Sequence, residues 1–185
     1  MRFLTFFLML FLFSSCSKND TQFNKGPSRK QQLANFIRYN VARELERDRN
    51  LMPCGFGAVM MDQVRMLGIS FDCYNEIDIP QARELLVTAS TLFLERINSN
   101  EEIRPYLKNY PFVPNNIEVI IFFKKIDGSD LELGELQIAS IQDGILCYDV
   151  QNLQPHLIQT IHKETFEEAV VILKESEKFK AVVNL

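Results

Sequence analysis

Three cysteines, Cys54, Cys73 and Cys147, and the two histidines, His156 and His162, carry the widest chemical repertoire in this 185-residue chain. A thiolate beside an imidazole and an orienting group makes a nucleophile, and three or four N, S or O ligands close in space make a zinc site. Only Cys54, in Pro53-Cys54-Gly55-Phe56-Gly57, has a setting that would expose it, and it could act with His156 or His162 as a Cys-dependent enzyme. No catalytic signature surrounds it, and its glycines more simply describe a turn. The histidines, six residues apart, would share one face of a strand, but two histidines with scattered cysteines do not specify zinc. Cys73 and Cys147 fall among apolar neighbours and read as small buried hydrophobes rather than as a bridge. Gly55 and Gly57 lack the third glycine of a dinucleotide loop, and no phosphate-cradling lysine motif is present. We therefore assign no catalytic residue, no metal ligand and no cofactor, and read the mature chain as a non-catalytic binding or structural module.

The segment from Tyr106 to Pro114 offers a different chemistry. Tyr106, Tyr110 and Phe112 are interleaved with Pro105, Pro111 and Pro114. Prolines reduce the entropy a loop loses on ordering, and aromatics are favoured at binding surfaces. These three rings are the candidate partner-binding residues, and the competing reading folds them back onto the core as a plug.

Among the elements that must position these groups, Ser28 to Gln31 has the form of a capping box, and Leu33, Phe36, Ile37, Val41 and Leu45 recur at helical spacing toward Asn50. Pro53, Gly55 and Gly57 are expected to break regular structure. Val64 to Tyr74 alternates apolar and polar as a strand does. Asp78, Pro80 and Gln81 start a second helix with a stripe of Ala82, Leu85, Leu86, Ala89, Leu92, Phe93 and Ile97. Pro105 should limit residues 101–108 to broken turns. Ile117 to Lys124 is apolar on both parities in its middle, the mark of a central strand. The turn dipeptides Asp127-Gly128 and Asp143-Gly144 predict a meander, with strands near 131–141, 145–150 and 156–162. Thr165 and Glu168 open a closing helix. This order predicts an α+β domain over residues 28–185, a mostly antiparallel sheet of four to five strands with helices packed on one face.

Ahead of the domain, Phe3 to Phe13 is an eleven-residue apolar run. As a helix it would rise about 16 Å, too short for a bilayer core of about 30 Å and the right length for an export signal over residues 1–15. Its ending, Ser14-Ser15-Cys16, resembles the lipobox of bacterial lipoproteins, with Phe13 standing where that family usually has Leu, Val or Ile. The resemblance implies that Cys16 is lipidated and becomes the new amino terminus. With Ser17 rather than Asp after it, the resemblance implies an outer-membrane anchor facing the periplasm; the alternative is a secreted or soluble periplasmic protein. Residues 17–27 are polar and read as a flexible tether. With a net charge of −4, nothing points to a nucleic-acid binder, which would normally show a basic face. The expected partners are the membrane, through the lipid on Cys16, and a protein or other envelope component.

Overall fold

Ser28 accepts a hydrogen bond from the Gln31 amide while the Gln31 side chain accepts one from the Ser28 N–H at 2.8 Å, so both ends of the predicted capping box are made. From there helix α1 runs Arg29–Arg49 and ends on Asn50, whose left-handed backbone (φ 55°) lets its N–H close on Glu46 and Leu45. The computed structural model in which these elements are seen describes residues 26–152 and 157–183. Strands β1 (Met52–Met60) and β2 (Val64–Cys73) form an antiparallel hairpin. Helix α2 (Ile79–Ser99) follows, capped by Asp78 and Gln81 with proline in its first turn.

Short turns at Arg104–Tyr106 and Pro114–Asn116 lead into β3 (Ile117–Phe123), which pairs parallel with β2. Parallel neighbours need a long crossover, and α2 supplies it. Strands β4 (Leu136–Gln142), β5 (Ile145–Gln151) and β6 (Ile158–Thr165) continue as an antiparallel meander, and helix α3 (Phe166–Val183) closes the fold. The sheet order is β1-β2-β3-β4-β5-β6, one parallel pairing among five. Asp143 (φ 50°) and Gly144 (φ 76°) are both left-handed, the two-residue turn that matches strand twist.

The three helices lie in one layer, α1 and α3 each packing against α2, and the core fills the gap between them and the sheet. Leu67, Ile69 and Phe71 of β2, Val119 and Ile121 of β3, and Leu146 and Tyr148 of β5 point into it, against Ile37, Val41, Leu86 and Phe93. The α+β class and the single helix layer agree with the expectation; the sheet has six strands, one or two more than expected. The extra strand is β1, where Pro53 and the glycines had suggested a break. It is an edge strand with a bulge between Pro53 and Gly55, the location in a sheet that tolerates a missing N–H and small residues. At the other end, β4 begins at Leu136 rather than near 131, because Gly134 (φ 87°) turns the chain first. Among the described residues no helix is long and apolar enough to cross a membrane.

Candidate functional site

With all helices on one side, no described helix covers the other face of the sheet. Strand register lays two rows of side chains across it. Gly55, Ser70, Ile120, Ser140, Cys147 and Lys163 form one; Met52, Asp72, Phe122, Ile138, Asp149 and Thr160 form the next. The first is mostly small, and with Ile120, Phe122 and Ile138 half-buried at the centre the two rows make a shallow apolar patch. Carboxylates stand on both sides of it. Asp72 is held by Lys124 Nζ at 2.9 Å, whereas Asp149 Oδ1 is buried without a hydrogen-bond partner. An unpaired buried acceptor lacks the compensation that buried polar groups normally have, but this oxygen is closed off from the surface, so what the patch presents is its apolar centre with the Asp72–Lys124 pair at one side. Sequence alternation contained the outward positions, but which strands are neighbours was not readable from it.

Cys54 is exposed at the corner of this face beside Asp72 and Lys124. Burial among its neighbours and the Asp72 carboxylate push its thiol above the usual cysteine range, although Lys124 acts the other way. That is the opposite of the shift that activates a nucleophile. The proposed pairing of Cys54 with His162 is also corrected by topology. Cys54 lies on edge strand β1 and His162 on the opposite edge strand β6, five spacings of about 4.8 Å apart, or about 24 Å. His156 lies outside the described residues. Cys73 faces the core and Cys147 the other side of the sheet, with β3 and β4 between their strands. They cannot approach within bridging distance, and Cys73 is the buried hydrophobe expected of it.

His162 instead joins a cluster that sequence reasoning missed. It packs on Tyr148 with ring centroids 5.5 Å apart, and its Nε2 lies 3.7 Å from Glu164 Oε2. Glu164 Oε1 receives Arg83 Nε at 2.7 Å and the Tyr148 hydroxyl at 2.6 Å. The side chains of Arg83 and Glu164 are only 11% and 4% exposed. Burial, then the hydrogen bond to Glu164 and its charge, drive the Tyr148 phenol well above its ordinary range. The cluster ties α2 to β5 and β6. One signal was present: Arg83 and Ser90 lie at helical spacing on the buried side of α2, amid apolar residues.

The aromatic loop divides. Phe112 is a core residue, 2% exposed, so its assignment as a partner contact is corrected. Asn98 at the end of α2 clamps it, donating from Nδ2 to the Phe112 carbonyl at 2.8 Å and accepting the Phe112 N–H at 2.7 Å. Tyr106 is half-buried and packs against the core. Tyr110 stays exposed, its ring under the Arg104 guanidinium at 4.9 Å and its hydroxyl donating to the Asn98 carbonyl at 3.3 Å. Cys16 lies outside the described residues, and among those described no group of three His, Cys, Asp or Glu could hold a metal. No protein-family model, curated protein or solved structure matches the chain.

Proposed function

We propose that this chain is a lipid-anchored envelope protein, held to the outer membrane through Cys16, whose α+β domain is a non-catalytic binding module facing the periplasm. The anchor is supported by the short apolar run closing on Ser14-Ser15-Cys16 and by the polar residues 17–27 ahead of the α1 cap. The single observation that carries the binding role is the sheet left without a described helix on one face, its apolar centre flanked by the Asp72–Lys124 pair. An apolar patch rimmed by polar groups is the usual form of an interaction surface. Its partner is an envelope protein or component that offers an apolar group to this centre. Of the three candidate rings in the loop, Tyr110, half exposed beside Arg104, is the one that remains at the surface for a partner.

Metabolic labelling with a fatty-acid analogue, native chain against Cys16→Ala, tests the anchor; equal label in both removes it. For the binding face, a photo-crosslinking residue at Ile138 on the sheet should form adducts in cells that one at Val171 on α3 does not. Adducts at neither position, or at Val171 alone, remove the binding role of this face.

A further inference from the structure

We infer that the outward stripe of α1 docks on the bilayer and orients the domain, sinking Phe36 and Tyr39 among the lipid headgroups and turning the bare sheet face away from the membrane. The inference rests on the lipid-anchored reading of Cys16. Phe36 is 60% exposed and Tyr39 54%, in the middle of a helix whose other side supplies Leu33, Ile37, Val41 and Leu45 to the core. No packing among the described residues accounts for two large rings on the solvent side. Helical geometry places Phe36, Tyr39, Arg43 and Arg47 along one stripe, directly opposite the sheet. Arg43 makes no ion pair among the described residues. Its guanidinium lies 5.8 Å over the Tyr39 ring and donates to the Tyr39 hydroxyl at 3.5 Å. Aromatic rings with a polar tip and arginine beside them suit the boundary between acyl chains and phosphates.

Chain connection makes lipid the occupant rather than a protein. Eleven residues, 17–27, lie between Cys16 and the α1 cap at Ser28, and a chain of that length reaches at most about 40 Å when fully extended. α1 is therefore the described element nearest the anchor. A covalent link of this length keeps the helix of an anchored chain near the surface and raises its effective concentration there. Two rings too weak to recruit a free protein then suffice to hold an anchored one. Because α1 belongs to the helix layer, docking it puts the sheet between the membrane and the periplasm, with Ile120, Phe122 and Ile138 facing outward.

The test uses the acylated full chain in vesicles of phosphatidylethanolamine and phosphatidylglycerol, with Cys54→Ser and Cys147→Ser to limit labelling. A solvent-sensitive dye is placed by Phe36→Cys, or by Thr160→Cys on the bare face, and quenching by nitroxide-labelled lipid is read. The dye at 36 is expected to shift blue and be quenched, and the dye at 160 to do neither. With the dye moved to position 40 on the same helix, Phe36→Ser and Tyr39→Ser should each lower the docked-to-undocked ratio about tenfold, the factor carried by about 1.4 kcal/mol. Flotation of the same samples separates the two claims. A chain that floats with vesicles but is unquenched at 36, is quenched equally at 160, or shifts only when envelope protein is added overturns the docking and leaves the anchor standing. A chain that does not float overturns both.

Discussion

Replacing Arg83 by methionine removes one partner of the buried pair with Glu164 while keeping most of the side-chain volume. In the native domain Glu164 Oε1 receives Arg83 at 2.7 Å and Tyr148 at 2.6 Å, and Oε2 is buried without a hydrogen bond. Arg83→Met leaves that carboxylate with the Tyr148 hydroxyl and a His162 nitrogen at 3.7 Å. Breaking a buried pair from one side costs about 3–5 kcal/mol, because the remaining charge stays desolvated. At roughly 2–4 °C per kcal/mol for a domain of this size, the melting temperature should fall by about 6–20 °C. Urea titration at neutral pH should give the same loss with little change in slope. The double variant Arg83→Met, Glu164→Gln keeps an acceptor for Tyr148 and removes the charge, so it should recover most of the loss. A single variant within about 1 kcal/mol of the native chain, far below the range for a broken buried pair, refutes the reasoning. So does a double variant no more stable than the single one.

Truncating Phe112 to alanine should cost about 3–5 kcal/mol in a thermal melt, the range for a fully buried ring, whereas Tyr110→Ala should leave the melting temperature within a degree or two. For Tyr148, burial raises the folded phenol above its unfolded value. The folded state then holds the proton more tightly, so the phenol's contribution is fully present below about pH 10, the unfolded value, and is lost as pH rises above it. Tyr148→Phe should be less stable at neutral pH and show a flatter decline above pH 10 in equilibrium unfolding. Asp72→Asn removes a charge that raises the Cys54 thiol and frees Lys124 beside it. Alkylation of Cys54 at mildly alkaline pH should quicken several-fold, and an unchanged rate would show that burial alone sets this thiol.

Residues close in sequence were legible because their physics is local. The capping boxes of Ser28–Gln31, Asp78–Gln81 and Thr165–Glu168 are satisfied within four residues and placed the start of each described α-helix. The Asp143-Gly144 turn placed a hairpin through its own backbone angles. Strand β1 was not legible, since Pro53, Gly55 and Gly57 are poor strand formers taken alone. The pairing with β2, and Arg38 donating to the Gly57 carbonyl at the sheet edge, override that preference.

The sequence alone therefore determined the described helices, most of the strands and the α+β class, because each rests on spacing along the chain. Only tertiary structure decided which side chains meet. It put Cys54 and His162 on opposite edges, drew Arg83, Tyr148 and Glu164 from three separate elements into one buried cluster, and sent Phe112 inward while leaving Tyr110 out. Contacts between residues 14 to 81 positions apart are set by strand order and helix packing. Neither periodicity nor residue type encodes those distances.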